Sequence, residues 1–581
     1  MQAISAAPDS DRKPFRSSQF ASSSMSQTVA THIARTLKEC GVEHFFMLTG
    51  GDQPLWIALR DAGIKMIVAR SEPGAVYMAD GYARAADKVA VTYGQAGPGA
   101  ANVAAALADS YWAQSPVFAL TGATATGAVH VNEYQALDQN TMFGPVTKWN
   151  GAAEEPGQVA SLTRQALTAA VSPTRGPTHL DVPKNYFGMA GGSEGSQSKG
   201  PLPTFNTLQA DSSEYASTLE ALRAAKRPMI LVGEGVRLGG AGEAVARLAD
   251  LLGIPVVATM GGKPAVLSSC AHFCGIVGRY SSVTANRLMA QADCVLALGT
   301  RLGGLSTNGY SLPSRKANVI QVDQDLAAFA NPYAPALCIR CDIRAFVEGL
   351  LTASRIEALP EAGDWLASCQ RESSAWLERF ARHASGVASQ EVLSPVSVLE
   401  ELSRYGSEIT VVADTGYMAA WTGVLFPTLR YNSFFRAVGS LGWALPAALG
   451  VQMARPEKVV CITGDGGVGY HLADIETAVR YKIPALVLIF NNNGLAFEYH
   501  EQKYRWNGNV VAEANDFTAS DFALAAKALG AIGLRATNRD ELNRALAQGI
   551  AADHPCVIDI VIDREAFPPV TNFDAVLERE L

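Results

Sequence analysis

The sequence lacks long apolar runs, basic stretches and any regular arrangement of cysteines. No apolar segment approaches the roughly 20 residues that cross a bilayer, which excludes a transmembrane helix. The formal net charge is -8, so the chain has no basic face of the kind that binds nucleic acid. These absences favour a soluble, mildly acidic protein without a nucleic-acid partner.

The nine cysteines are scattered along the chain. Two close pairs, Cys338 with Cys341 and Cys270 with Cys274, each resemble half of a zinc site, but neither has a matching pair elsewhere. We therefore interpret them as reduced, packed thiols of a cytoplasmic protein.

With 581 residues, the chain is too long for one hydrophobic core. The alternation of helical and β-branched segments predicts an α/β fold with three doubly wound parallel sheets. The expected organisation is a disordered leader (1–27), a first domain (28–190), a linker (191–213), a middle domain (214–353), a helical connector (354–394), a third domain (395–565) and a C-terminal tail or lid (566–581).

One stretch, residues 458–494, organises the third domain. Its pattern predicts a strand over 459–463, the turn Gly464-Asp465-Gly466, a helix from about 468 to 481 and a second strand over 485–490. A right-handed crossover places the carboxyl ends of both strands on one edge of the sheet. We therefore expect Asp465 to lie beside the run of asparagines at 491–493.

The side chains of this stretch suit a hard divalent cation. The Asp465 carboxylate, the Asn492 amide oxygen and the Gly494 carbonyl supply three oxygens, and magnesium would complete its octahedron with phosphate oxygens and water. Glycines let the backbone approach phosphates, whose charge the N-terminus of the predicted helix would favour. The stretch is therefore predicted to be a metal-diphosphate clamp.

Two other interpretations fit the same residues. Gly464, Gly466 and Gly469 satisfy G-x-G-x-x-G, but a dinucleotide fold expects an acidic residue after the second strand, where this chain has asparagines. A tight turn without a ligand is the simplest alternative, yet glycines around an acid followed by asparagines pack poorly.

The Gly-Asp-Gly motif and its spacing to Asn-Asn resemble the signature of thiamine diphosphate enzymes, the group of acetolactate synthase, pyruvate oxidase, benzaldehyde lyase, oxalyl-CoA decarboxylase and pyruvate decarboxylase. The segments GAVYMADGYARA and VTYGQAGPGAANV, which follow Glu72, resemble the pyrimidine-binding domain of that family. The resemblance implies pyrimidine-binding, middle and diphosphate-binding domains in that order, with thiamine diphosphate and Mg²⁺ as cofactors.

The resemblance also implies roles for individual residues. Glu72 would bind the ring nitrogen of the cofactor's aminopyrimidine and promote its imino tautomer, although alone it could equally be a helix-start acid. Leu441 would wedge between the two rings and the Gly439 carbonyl would accept a hydrogen bond from the 4'-amine, so that deprotonation of thiazolium C2 becomes intramolecular. A core leucine is the alternative for Leu441.

The resemblance implies that two further residues face the substrate. Gln135 would point toward it, and Glu498 would protonate the intermediate or position a carboxylate, unless it is a solvated helix-face residue. Gln95 stands where the family often has a small hydroxyl residue, which implies an altered substrate side. The implied cofactor contacts are Asp414, Thr415, Gly416, Gly439, Leu441, Gly464, Gly466, Gly467, Val468 and Asn492.

The middle domain of this family binds flavin in some members and adenosine diphosphate or coenzyme A in others. Arg301 and Asp323 stand where such members contact a nucleotide, but Gly303-Gly304-Leu305 replaces the Asp-Asp-Arg run of acetolactate synthases. FAD or ADP/CoA binding and a surface arginine with a strand-end acid therefore both remain open.

The implied reaction makes or breaks a carbon-carbon bond next to a carbonyl. Overall likeness favours an acetolactate synthase-like carboligase or lyase acting on a 2-oxo acid. The alternatives are a 2-oxo acid decarboxylase that releases an aldehyde, toward which Glu498 points, a 2-hydroxyacyl-CoA or oxalyl-CoA lyase, and a non-catalytic cofactor-binding paralogue. A homodimer or homotetramer with active sites between subunits is expected.

Overall fold

The computed structural model describes residues 28–128, 131–191, 200–354, 362–387 and 392–570. The first domain has a six-stranded parallel sheet in the order β2-β1-β3-β4-β6-β5. Strands β3 and β6 are buried along their whole length, as expected for a sheet covered by helices on both faces. The elements are α1 (Val29–Glu39), β1 (His44–Met47), α2 (Gln53–Asp61), β2 (Lys65–Val68), α3 (Glu72–Ala86), β3 (Ala90–Gly94), α4 (Pro98–Trp112), β4 (Val117–Ala123), α5 (Gln139–Phe143), β5 (Trp149–Ala152), α6 (Val159–Val171) and β6 (Thr178–Pro183).

The middle domain repeats this architecture. Its six parallel strands have the order β12-β11-β10-β7-β8-β9. The elements are α7 (Ser212–Ala224), β7 (Pro228–Val232), α8 (Glu234–Leu238), α9 (Gly242–Leu252), β8 (Val256–Ala258), β9 (Phe273–Ile276), α10 (Val283–Gln291), β10 (Cys294–Leu298), β11 (Asn318–Asp323), β12 (Leu337–Arg340) and α11 (Ile343–Ser354).

A long helix, α12 (Ala362–Val387), precedes the third domain, whose six parallel strands have the order β14-β13-β15-β16-β18-β17. The elements are α13 (Pro395–Ser403), β13 (Ile409–Ala413), α14 (Tyr417–Leu425), β14 (Phe434–Arg436), α15 (Ala444–Ala454), β15 (Lys458–Gly464), α16 (Asp465–Val468), α17 (Asp474–Tyr481), β16 (Leu486–Asn491), α18 (Ala496–Arg505), α19 (Ala512–Asn515), α20 (Phe522–Ala528), β17 (Ile532–Ala536), α21 (Arg539–Ala551) and β18 (Cys556–Val561).

The predicted fold class, three doubly wound parallel sheets, is confirmed. The single helix predicted from about 468 to 481 is wrong: the structure has the short α16 and then α17, separated by residues 469–473. The interruption begins at Gly469, and glycine is less favourable than alanine inside a helix by about 1 kcal/mol. The predicted leader, part of the linker (192–199) and most of the tail (571–581) lie outside the described residues. Within the described ranges, no helix is long and apolar enough to cross a membrane.

The first and third domains meet through helices α3 and α15, which cross in very close contact. A Cβ atom built on Gly450 of α15 would lie 1.9 Å from the backbone oxygen of Met78 in α3. A Cβ atom on Gly81 of α3 would lie 2.2 Å from the backbone oxygen of Ala447. Backbone therefore packs against backbone here, and only glycine fits at either position.

We expect Gly450→Ala to lower the unfolding temperature. Overpacking costs about 1–3 kcal/mol, and here the opposing atoms are backbone that cannot rotate away, so the cost outweighs the roughly 1 kcal/mol that alanine gains over glycine in a helix. The control is Gly144→Ala, because a Cβ atom on Gly144 meets no atom within 4 Å. Thermal unfolding of both variants checks the prediction, and equal midpoints for the two would contradict it.

Candidate active site

A cavity of about 290 Å³ opens at the carboxyl ends of β13, β15 and β16 in the third domain. Most of the residues predicted to bind the cofactor and the metal line this cavity, together with Glu498, which was predicted to face the substrate. They are Thr415, Gly416, Leu441, Gly464, Asp465, Gly466, Gly467, Asn492, Gly494 and Glu498. Asp414, Gly439 and Val468 are not among the lining residues.

Asp465 follows β15 directly and is held by the backbone of both halves of the motif. Its Oδ1 accepts a hydrogen bond from the Gly466 N–H at 3.0 Å and its Oδ2 accepts one from the Gly494 N–H at 2.9 Å. Burial raises the pKa of Asp465 to about 6, although these N–H groups oppose the shift. Asp465, Asn492 and Gly494 thus bring oxygen donors to one cavity, and this donor set fits a hard cation such as Mg²⁺.

The three consecutive asparagines have different surroundings. The Asn491 amide donates to Asp559 Oδ1 at 2.9 Å and is used inside the domain. Asn493 has a φ of +59°, in the left-handed region that asparagine tolerates. Only Asn492 lines the cavity. A Cβ atom on Gly494 would lie 2.6 Å from the backbone oxygen of Asn515, so glycine is required there.

Asp414 is fully buried and its carboxylate is used by the protein itself. It accepts hydrogen bonds from Thr463 Oγ1 at 2.8 Å, the Thr415 N–H at 2.9 Å and the Gly442 N–H at 3.0 Å. Burial raises the pKa of Asp414 to about 6. A Cβ atom on Gly467 would lie 2.6 Å from Asp414 Oδ2. Asp414 therefore ties together the turns around the cavity.

The turn before Leu441 is held by a residue that sequence reasoning missed. Asp109, a buried residue of α4 in the first domain, accepts hydrogen bonds from the N–H groups of Val438 (2.8 Å), Gly439 (3.1 Å) and Ser440 (2.8 Å). The only signal was an acid inside the alanine-rich segment NVAAALADSYW. The first domain thus positions the Leu441 turn of the third domain within one chain.

A second missed residue comes from the middle domain. Tyr280 lines the cavity, and its ring contacts the ring of Phe497 edge-on at 6.1 Å. Phe497 is also packed edge-on against Tyr417 at 5.5 Å. Exposed Glu498 lies on the same wall, so an aromatic surface adjoins a carboxylate. Nothing in the sequence around Tyr280 indicated this placement.

The residues predicted to bind the pyrimidine form a separate cluster in the first domain. Glu72 is the first residue of α3, whose N-terminus is capped by Ser71 Oγ. Glu72 Oε2 accepts a hydrogen bond from Asn102 Nδ2 at 3.1 Å. A Cβ atom on Gly99 would lie 3.2 Å from Glu72 Oε1, so the glycine turn passes directly beside this carboxylate.

Gln135 lies over the same glycine turn. Gln95 Nε2 donates to Gln135 Oε1 at 3.5 Å, and a Cβ atom on Gly97 would lie 2.6 Å from the Gln135 backbone oxygen. The Gly97 N–H donates to the buried Gln139 Oε1 at 2.8 Å, and this hydrogen bond fixes the turn to the interior of the domain. Gln95, the departure from the family pattern, is therefore in contact with the predicted substrate residue.

The cluster around Glu72 shares no residue with the lining of the third-domain cavity of the same chain. Neither Glu72 nor Gln135 lines the third-domain cavity. Large apolar side chains are exposed on both domains, among them Tyr134, which is 81% exposed next to Gln135, and Tyr470, which is 66% exposed after the glycine motif.

The middle domain has its own cavity, of about 370 Å³, at the carboxyl ends of β7, β10 and β11. Arg301 and Asp323 both line it, as do the residues at 303–305. Burial raises the pKa of Asp323 to about 6, and the Arg301 guanidinium lies over the Trp112 ring at 5.6 Å. Tyr280 lines both this cavity and the third-domain cavity.

Three parallel-sheet domains and a glycine-rich cavity with convergent oxygen donors define a thiamine diphosphate-dependent enzyme. The sequence profiles of the thiamine pyrophosphate enzymes match in the expected order: the N-terminal TPP binding domain over residues 27–142, the central domain over 215–350 and the C-terminal TPP binding domain over 414–560.

Individual relatives agree with these profiles. The chain is 31% identical over 560 residues to the putative acetolactate synthase large subunit IlvB2 of Mycobacterium tuberculosis, covering 93% of this chain and 99% of that protein. It is 28% identical over 579 residues to a probable acetolactate synthase large subunit of Methanococcus aeolicus (94% and 96% covered). It is 31% identical over 544 residues to the sulfoacetaldehyde acetyltransferase of Castellaniella defragrans (87% and 88% covered). The chain belongs to the thiamine pyrophosphate enzyme family.

Proposed function

We propose that the protein is a magnesium- and thiamine diphosphate-dependent carboligase or lyase of the acetolactate synthase type that acts on a 2-oxo acid. The observation that carries this proposal is the single cavity onto which Leu441, Asp465, Asn492 and Gly494 converge. The relatives named as acetolactate synthases, which match over almost the whole chain, support the reaction type.

Each part of the site has a distinct task in this proposal. Asp465, Asn492 and Gly494 would hold Mg²⁺, which would help to bind the diphosphate. Leu441 would lie against the bound cofactor, and Asp109 holds the turn that positions this leucine. When bound, thiamine diphosphate supplies a nucleophilic carbon that adds to a carbonyl and then stores negative charge. Glu72 would exchange a proton with the aminopyrimidine ring.

Two observations favour other reactions of the same cofactor. Glu498 lines the cavity, which would suit protonation and release of an aldehyde by a 2-oxo acid decarboxylase. The similarity to sulfoacetaldehyde acetyltransferases favours a different carbonyl substrate. A CoA-ester lyase would place part of its substrate near the middle-domain cavity.

A product assay separates these reactions. The protein reconstituted with thiamine diphosphate and Mg²⁺ is incubated with ¹³C-labelled pyruvate alone, with pyruvate plus sulfoacetaldehyde, with benzoylformate and with a 2-hydroxyacyl-CoA, and products are identified by NMR. We expect pyruvate alone to give CO₂ and acetolactate. Free acetaldehyde as the sole product would support the decarboxylase, and no turnover in any arm would contradict the proposal.

We further propose that two copies of the chain complete each active site. In one chain the Glu72 cluster lies outside the cavity that contains Asp465, and exposed apolar residues accompany both. A second copy related by a two-fold axis would bring its first domain to the third-domain cavity and bury those residues. A homodimer, or a tetramer built from such dimers, follows.

This arrangement predicts that two inactive variants rescue each other. In a hybrid of Glu72→Gln and Asp465→Ala chains, one site carries both changes and the other carries neither. Co-expression with two different affinity tags and selection for both should therefore recover about a quarter to a half of the parental activity, depending on dimer or tetramer composition. A hybrid as inactive as its parents would show that each site is built from a single chain.

The middle-domain cavity is proposed to hold a nucleotide, FAD or an adenosine diphosphate group. Arg301 could bind a phosphate and Asp323 a ribose hydroxyl, and both line the cavity. The absorbance spectrum of the purified protein and chromatography of the heat-released small molecules test this. A flavin spectrum or a stoichiometric adenine nucleotide supports the proposal, and the absence of both, together with no ADP or FAD binding by calorimetry, contradicts it.

A further inference from the structure

A smaller cavity of about 200 Å³ lies where all three domains meet. Arg84, Asp87 and Arg175 line it from the first domain, Arg237 from helix α8 of the middle domain and Asn432 from the third domain. It is below the size of most sites for drug-sized ligands, which begin at about 300 Å³. Three arginines therefore converge on a space that fits only a small molecule.

Each of these arginines has an acidic partner, and Arg84 Nη2 also lies 3.9 Å from Glu234 Oε1, but only one of the three acids lines the cavity. Arg237 Nη2 lies 2.9 Å from Glu234 Oε1, Arg84 Nη1 lies 3.4 Å from Asp80 Oδ2, and Arg175 pairs with Asp87. Glu234 and Asp80 do not line the cavity, so its walls carry three guanidinium groups and one carboxylate, that of Asp87.

The donors of the arginines are also incompletely used. Each guanidinium has five N–H donors. Hydrogen bonds within the described ranges use at most two of these donors on each arginine. Arg84 Nε has no hydrogen-bond partner in the described part of the chain, although the Arg84 side chain is only 4% exposed. Burial lowers the pKa of the Arg237 guanidinium, Glu234 opposes that shift, and the charge of Arg84 adds to it. Unsatisfied donors and like charges at a buried site both favour an acceptor of opposite charge.

We propose that this arginine pocket binds a small inorganic oxyanion of the phosphate type and thereby stabilises the junction of the three domains. Tetrahedral oxyanions accept several N–H groups at once and match the fork geometry of arginine. The pocket also adjoins the active-site framework, because the Arg84 guanidinium lies over the Trp443 ring at 4.9 Å and Trp443 follows the Leu441 turn. The proposal does not depend on which reaction the enzyme catalyses.

Thermal unfolding of the full chain tests the arginine pocket. Saturating thiamine diphosphate and Mg²⁺ are present throughout, so that phosphate cannot act through the cofactor site. Sodium phosphate is titrated against sodium chloride at equal ionic strength. We expect a saturable rise in unfolding temperature with phosphate alone, since a ligand that binds only the folded state raises its stability.

Three variants test whether phosphate raises the unfolding temperature by binding in the arginine pocket. Arg175→Gln should abolish the phosphate-dependent rise, and it should fold because this side chain is 35% exposed. Asp87→Asn should lower the half-saturating phosphate concentration by up to about fivefold, since it removes the repelling carboxylate. Arg301→Gln, in the neighbouring middle-domain cavity, should keep the rise. No saturable rise in the parent, or a rise lost in Arg301→Gln and kept in Arg175→Gln, would overturn the proposal.

Discussion

Asp465→Ala should abolish tight binding of thiamine diphosphate in the presence of Mg²⁺ and, with it, activity. The substitution removes the proposed carboxylate ligand of the metal and the acceptor for the Gly466 and Gly494 N–H groups. Loss of an outer-shell partner of a metal costs about 10- to 100-fold in affinity, and loss of a direct ligand should cost at least that. Isothermal titration calorimetry with cofactor plus Mg²⁺ measures the loss.

The matched control is Asp540→Ala, which removes an exposed acid from the first turn of α21 in the same domain. Its cofactor affinity should equal that of the parent. Circular dichroism of Asp465→Ala must match that of the parent, so that the loss reports on the site and not on unfolding. Unchanged affinity in a folded Asp465→Ala protein would remove the basis for the metal-diphosphate clamp.

The sequence predicted this part of the site well because its signal is local. A β-branched run, a glycine turn and a second apolar run define one strand-helix-strand unit, and the crossover rule then places Asp465 near Asn492. Gly494 was predicted for its carbonyl, and the structure adds a second reason for a glycine there, the close approach of the Asn515 backbone.

Residues that act across domain boundaries could not be found in the same way. Asp109 accepts a hydrogen bond from the Gly439 N–H, although it lies 330 positions earlier in the chain. No periodicity in the sequence links two such distant segments. Tyr280 reaches the cavity from the middle domain. Such contacts depend on the packing of whole domains, here on the glycines that let α3 and α15 approach each other closely.

The same domain contact fixes the position of Glu72, which does not line the cavity of its own chain. The helix that Glu72 begins is packed against α15, and the backbone N–H of Arg70, just before it, donates to Asp474 at 2.9 Å. These contacts fix the first domain beside the third in an orientation that keeps Glu72 outside the lining of the Asp465 cavity. This arrangement is the one that the proposed two-chain active site requires.

Glu72→Gln should lower the rate of cofactor activation by about 10²- to 10⁴-fold, the usual contribution of a general acid or base. Glutamine keeps the shape of the side chain and an oxygen that can accept the Asn102 amide N–H, so the fold and cofactor affinity should change little. What is lost is a group that can exchange a proton with the pyrimidine ring. Hydrogen-deuterium exchange at thiazolium C2, followed by NMR after acid quench, measures this step directly.

The control is Glu243→Gln, which removes an exposed acid from the first turn of α9 in the middle domain. If Glu72 served only as a helix-start acid, both substitutions would cost at most about 1 kcal/mol of stability and leave the exchange rate at its parental value. A slow exchange in Glu72→Gln alone, with thiamine diphosphate still bound, would instead assign the proton transfer to this carboxylate. Because Glu72 lies outside the cavity of its own chain, such a result would also require that a second chain supplies it.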